Sequence, residues 1–515
     1  MRRTREEILS REKFSSTVEW LLSFRFGGAV VYAMEVARRW DVLVAAALMS
    51  LISFSLPERQ SPDGSSGLDL IALIKLSIRF LVIAWFGSIL LLTCFSSLST
   101  RAKRLNRPIA DIVGDFAWRG RWTDRILAPW WCFAAWSLVT VLWSPRFTVS
   151  LGQWLGLVGV LSFAQVISDR YSQTRSFPWQ NLAKQLNIVF AIYSSMVLTA
   201  HTLAPSVSGL NRSISFDVGS SGLFHPTAVG ATSSLGLTFV GVLFLKRVVE
   251  NIPVALGMMT IHMVALYYSE SRAALAMASV VGIICLIFLM SRAMRASFLL
   301  LGGIGLMGLV VLDPGFQLAS SRINDVSEYV QRGQTADQLR EVSGRAELWE
   351  LIWEEFKTSP VIGHGYFTTS STGKLNVWGA TTSEDAHNVG LQVLVSTGVV
   401  GGIIFVWALL VSFSHLVRSL VSMALIQISQ LDNRSLRNST LFRGDETAFY
   451  PEVIGDFVSF TLVVVIWFLG WSQSCVSFLG PIRPEVVAFF AILGLVSAHA
   501  KWVATRSSTY KSGLK

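Results

Sequence analysis

Charge is what this chain has least of: 15% of its 515 residues are Asp, Glu, Lys or Arg, against 52% hydrophobic ones. A soluble domain carries about 25% charged residues, so a single water-facing globule is excluded. Cysteine is scarce as well. The four, Cys94, Cys132, Cys285 and Cys475, have no paired spacing, which argues against a disulfide framework and against a metal site. No cleavable leader is expected either: the first forty residues are charged throughout, with no apolar core ending at a small-residue site. Convincing internal repeats are likewise absent.

What is there instead is apolar sequence in long runs. A span needs roughly 20 apolar residues to cross about 30 Å of hydrocarbon, and the chain supplies about twelve such runs. They lie near Asp41 to Leu56, Leu70 to Phe95, Ile126 to Trp143, Val149 to Ser168, Ile188 to Ala204, Pro226 to Leu245, Ile252 to Tyr268, Arg272 to Met290, Ala296 to Leu312, Asn388 to Val411, Phe457 to Trp471 and Glu485 to Ala500. The expected fold is an all-α integral membrane protein of about twelve transmembrane helices. Val18 to Ala37, interrupted by Arg25 and Glu35, is expected to lie along the membrane surface.

Charge sets the expected orientation, because short cytoplasmic loops hold an excess of Lys and Arg. With the N-terminus inside, thirty of the 43 Lys and Arg fall in inside segments and eleven outside, leaving Lys75 and Arg79 in the second span. That pair is read as snorkelling toward the outer headgroups. Both termini are therefore expected to be cytoplasmic. The net charge of +10 is then explained by topology and anionic headgroups, not by nucleic acid. The expected organisation is a cytoplasmic N-terminal segment, 1–40; spans 1–9 over 41–312; an outside loop, 313–387; spans 10–12 over 388–502, with a cytoplasmic loop at 414–456; and a cytoplasmic tail, 503–515.

The outside loop carries the informative residues. A helix is expected from Thr335 to Lys357, with Leu339, Leu348, Leu351, Ile352 and Phe356 on one apolar face and Arg345 near its start if Ser343 caps it. Pro360 then leads into a glycine-bracketed turn, Gly363-His364-Gly365, and the chain reads as loop until Glu384-Asp385-Ala386-His387-Asn388. His387 and Asn388 open the tenth span. Arg272 opens the eighth. A helix that begins at the membrane boundary points free N–H groups and partial positive charge outward, so these openings favour an anion.

This pattern resembles the O-antigen ligase and polysaccharide polymerase family of bacterial envelope enzymes. The residues that carry the resemblance are Ser271-Arg272-Ala273-Ala274-Leu275, Gly344-Arg345 with Leu348-Trp349, Pro360 with Gly363-His364-Gly365, and Ala386-His387-Asn388 with Gly398 and Gly401. The resemblance implies a glycosyltransferase C-like bundle in the bacterial inner membrane with one large periplasmic loop. It also implies a metal-independent glycosyltransferase without cofactor, passing glycan from an undecaprenyl diphosphate-linked donor to lipid A core or a glycan chain. A chain-length regulator is a further partner of that class. Carried over by position, Arg272 and Arg345 would bind the diphosphate and His387 would assist the acceptor hydroxyl. Asp385 and Asn388 would support them. Arg212, upstream of Gly222-Leu223-Phe224-His225-Pro226, is a weaker candidate because His225 stands where the family favours Asn.

The chemistry agrees with those roles. A departing diphosphate gathers negative charge, and Arg offers a planar fork of donors that stays protonated. Fixed cations can do this without a metal. Histidine, with an ordinary pKa of about 6.5, suits a base near neutral pH. The bland readings are an interfacial His387, an Arg272 paired with Glu270 and an Arg345 paired with Glu341. A polytopic transporter or flippase for envelope glycolipids is the alternative of another class, and a noncatalytic envelope assembly partner a third. Transporters place polar breaks near the midplane, whereas the charges here sit at the outer boundary.

Overall fold

The computed structural model describes residues 124–174, 177–208, 210, 224–291, 294–297, 345–373, 375–377, 381–383, 385–432, 446–475 and 483–513, with Ser77 and Leu300 as single positions. The expected spans at 41–56 and 70–95, most of that at 296–312, the segment 1–40, Lys75, Arg79, Arg212, Leu339, Ser343 and Glu384 lie outside the described residues.

The described chain is helical apart from one small hairpin. Its helices are α1 (Leu127–Val141), α2 (Phe147–Ser172), α3 (Trp179–Leu203) with one further turn at Pro205–Ser208, α4 (Pro226–Leu245) and α5 (Ile252–Tyr268). There follow α6 (Arg272–Ile284) with a π turn at Cys285–Leu289, α7 (Arg345–Thr358), α8 (Val389–Asp432), α9 (Glu446–Trp471) and α10 (Pro484–Gly513). Six helices among the described residues are long and apolar enough to cross a membrane, and α1, α5 and the Gly455–Trp471 part of α9 are shorter apolar helices. Their outer surfaces suit lipid: Leu142, Leu203, Phe288, Ile403 and Leu410 are exposed.

Three expectations are corrected. Residues 375–383, read as loop within an all-α fold, contain β1 (Leu375–Val377) paired antiparallel with β2 (Thr381–Ser383), Asn376 facing Thr382. β-branched Val377, Thr381 and Thr382 around Gly379 favour such a hairpin. The stretch 414–456 is also not all connector, since α8 runs on to Asp432 and α9 starts at Glu446. No Gly or Pro stands between Ser414 and Asp432 to stop the helix. α3 begins well before Ile188, because Trp179, Leu182, Ala183 and Leu186 are already buried on one face.

Packing is close where side chains are small. α2 and α10 share the most extensive helix contact, and a Cβ at Gly494 would collide with the Ala164 carbonyl. Aromatic rings fill the wider gaps. Trp130 meets Phe405, Phe489 and Phe490 edge-on, and Trp179 stacks on Phe460 at 5.1 Å. The tryptophans Trp130, Trp179, Trp467 and Trp471 are fully buried, so these four pack the core.

At one end of the bundle α1, α2 and α10 are tied by ions. Lys501 Nζ lies 2.8 Å from Asp124 Oδ2 and 2.9 Å from Asp169 Oδ1. Ser497 Oγ donates to both oxygens of Asp124, and Oδ1 also accepts from the Leu127 N–H. At the other end α6, α8 and α10 begin and α9 finishes, with α7 laid across the start of α8. That end holds the candidate site.

Candidate active site

The first turn of α8 builds the site. Asn388 caps the helix, its Oδ1 accepting the Leu391 N–H at 3.1 Å, and the Val389 N–H is bonded to the Ser472 carbonyl at the end of α9. One residue earlier His387 has φ +46°, a left-handed backbone that a side-chain-bearing residue rarely adopts. The surroundings hold it there. The Ala386 N–H donates to Gln392 Oε1, the Ala386 carbonyl accepts from Trp349 Nε1, and Gln392 Nε2 reaches the Thr368 carbonyl. Strain of this kind persists only where neighbours over-determine it, and it gathers at functional sites.

The consequence of that backbone is a carboxylate and an imidazole face to face. Asp385 Oδ1 accepts from both the His387 N–H and His387 Nδ1, each at 2.9 Å. With Nδ1 occupied as donor, the other ring nitrogen is the one left to take a proton. Asp385 is 17% exposed and His387 39%, so the carboxylate is sheltered while the ring stays open to a ligand. Burial raises the Asp385 pKa, but the hydrogen bond and charge of His387, the charge of Arg483 and the His387 N–H outweigh it and bring it down to about 2.

Two arginines bear on this dyad. Arg345 begins the described part of α7, one turn ahead of Trp349, whose indole holds the Ala386 carbonyl. Burial lowers its guanidinium pKa against the opposing charges of Cys475 and Asp385. The second, Arg483, was no candidate from the sequence. It stands immediately before Pro484 at the start of α10, its Nη1 3.6 Å from Cys475 Sγ. Burial works against its charge, yet Cys475, Glu485 and Asp385 hold it above the ordinary guanidinium range. The Cys475 thiol is itself pushed up to about 11, chiefly by burial, so at neutral pH the effective anion beside both arginines is Asp385. A signal for Arg483 did exist: it opens a span on the face where Arg272 and His387 open theirs.

Arg272 is the first residue of α6, after Glu270 with φ +46°. Its helix reaches the same end, because Met277 covers Gly470 on α9 just below the Ser472 carbonyl that binds α8, and Ser271 covers Gly230 at the start of α4. Arg345, Asp385, His387 and Asn388 are thus drawn together, with Arg272 at the mouth of the neighbouring helix. Asn388 acts as helix cap. Arg212 lies outside the described residues. Among the described residues, no group of three or more His, Cys, Asp and Glu is gathered as a metal would need.

The glycine motif has a structural task. At Gly398, φ +67° and ψ −174° break the α8 hydrogen-bond ladder, and a Cβ there would overlap the Val361 carbonyl. The freed groups are satisfied by the turn after α7. The His364 and Gly365 N–H groups donate to the Val395 and Ser396 carbonyls, and the Val399 N–H donates to the Pro360 carbonyl. Gly363 and Gly365, with φ +69° and +109°, let that backbone approach. His364 turns away toward α7, its Nε2 2.9 Å from the Glu355 carbonyl. The motif therefore fastens the turn after α7 to α8.

Residues 254–406 match the family model described as O-antigen ligase. The matched stretch holds Arg272, Arg345, Asp385, His387 and Asn388 and ends before Arg483. No curated protein matches the chain.

Proposed function

From a membrane chain whose residues 254–406 match the O-antigen ligase family model, we propose a glycosyltransferase that takes glycan from an undecaprenyl diphosphate-linked donor at the periplasmic face of a bacterial inner membrane. The acceptor is lipid A core or another glycan chain. The observation that carries the reading is the Asp385–His387 pair at 2.9 Å, open on the imidazole side, beside Arg345.

In the proposed reaction the acceptor hydroxyl oxygen attacks the anomeric carbon of the donor sugar. A new C–O bond forms as the bond from that carbon to the diphosphate oxygen breaks. The hydroxyl proton passes to the open nitrogen of His387, and the electron pair leaves with the lipid diphosphate. Asp385 keeps Nδ1–H aligned and stabilises the imidazolium that forms, which a carboxylate ionised down to about pH 2 can do at any physiological pH. Arg345 and Arg272 offset the charge that develops on the leaving diphosphate, as fixed donors do best in a site of low dielectric. The transporter alternative would draw on polar groups within the helices. One of them, His262, is fully buried, its Nδ1 3.0 Å from Ser194 Oγ.

The test is transfer from undecaprenyl diphosphate-linked glycan by purified protein with EDTA present. Wild type should transfer, and folded His387→Ala should lose most of that activity. Equal rates for the two would remove His387 from the mechanism, and EDTA-abolished transfer would remove the metal-free step.

A further inference from the structure

Arg483 and Glu485 flank Pro484 at the start of α10, beyond the stretch matched to the family. Neither is needed to hold α10 in place, since that helix is locked to α2 along its length and tied by Lys501 and Ser497 at its far end. Their position is fixed by the site. The Ser472 carbonyl binds the Val389 N–H, Gln473 Oε1 accepts from Asn388 Nδ2 at 3.4 Å, and Cys475, two residues on, lies 3.6 Å from the Arg483 guanidinium. A short path of contacts thus runs from the residue after His387 to Arg483. Glu485 is fully buried, and neither of its carboxylate oxygens has a hydrogen-bond partner among the described residues. A buried carboxylate with unfilled acceptors is costly unless a donor arrives to fill them.

We infer that Arg483 and Glu485 form a subsite for the sugar–diphosphate junction of the donor, Arg483 holding a phosphate oxygen and Glu485 accepting a hydroxyl of the first sugar. The inference rests on the glycosyltransferase reading. A cation beside a carboxyl group with unfilled oxygens matches a ligand that presents phosphate oxygens next to hydroxyls. Arg345 and Arg483 then both place positive charge near Asp385. The N-terminal end of α10, a helix of 30 residues, adds partial positive charge.

The experiment is binding by the full chain in nanodiscs of two probes, undecaprenyl diphosphate and undecaprenyl diphosphate-linked glycan, with melting temperature recorded for each variant. Arg483→Gln is expected to weaken both probes about tenfold or more, the loss typical of one charge-assisted contact. Glu485→Gln is expected to weaken only the glycan-bearing probe. Wild-type binding, weakened by Arg345→Ala but unaltered by Arg483→Gln and Glu485→Gln, overturns the subsite and leaves the functional reading standing. Wild type that binds neither probe overturns both. Should Arg483→Gln fail to fold, Arg483→Lys decides. It keeps the charge without the planar fork, so weaker binding at an unchanged melting temperature supports the subsite and unchanged binding refutes it.

Discussion

Helix α10 joins two ionic clusters that differ in how completely they are satisfied. Glu485 and Lys501 lie sixteen residues apart on it, about 24 Å at 1.5 Å per residue. At the Lys501 end, Asp124 has a lysine, the Ser497 hydroxyl and the Leu127 N–H on its oxygens, and Asp169 shares the same lysine. At the other end Asp385 serves a half-exposed imidazole in a left-handed backbone, and Glu485 has unfilled oxygens beside Arg483. The first arrangement is closed and ties three helices together. The second leaves polar capacity for something outside the chain. Burial of charge therefore does not by itself mark a site; charge buried with an incomplete set of partners does.

The comparison can be broken at either end. The largest effect is expected at His387: His387→Ala should lower kcat about a thousandfold, the middle of the range for a positioned acid–base group, while the melting temperature holds. A turnover within a few-fold of wild type would show the dyad to be structural. Next is Asp124→Asn, which leaves Lys501 with Asp169 as its remaining carboxylate partner and should cost about 2 kcal/mol of stability, read as a lower melting temperature with unchanged turnover per folded molecule. Asn388→Ala removes a helix cap and should cost about 1 kcal/mol, with a small fall in kcat as His387 loosens.

The smallest effect is a pH dependence. The Asp385 pKa is depressed from 3.8 to about 2, so its stabilisation is fully present above pH 3.8 and is lost as pH falls toward 2. The difference in melting temperature between wild type and Asp385→Asn should accordingly shrink as pH falls from about 4 toward 2. A difference that persists undiminished to pH 2 would assign the stabilisation to another group.

Part of the candidate site could be read from the chain because Arg272 and His387 open apolar runs, and a polar residue at such a boundary is conspicuous. Arg345 lies in the polar loop and was singled out by the resemblance alone. Arg483 stands at a boundary too, just outside the run expected from Glu485 to Ala500. The partnership of Asp385 with His387 was harder. Residues two apart in the chain face each other here with His387 at φ +46°, and the preceding Ala386 is held by Trp349, from well upstream, and by Gln392, which is itself bonded to Thr368. The glycines carried the family pattern, but their task depends on a break in α8 at Gly398 that a continuous apolar run conceals. The hairpin at 375–383 was likewise too short for its alternation to stand out.

The most direct test sets Asp385→Asn beside Asp124→Asn, measuring turnover per folded molecule and melting temperature on both. The account predicts a crossing: Asp385→Asn loses about a hundredfold in turnover, as a misaligned imidazole would, with the smaller drop in melting temperature, while Asp124→Asn melts earlier and turns over normally. Parallel losses in both variants, or loss of turnover at Asp124 alone, would contradict the division of the molecule into a closed structural end and an open reactive one.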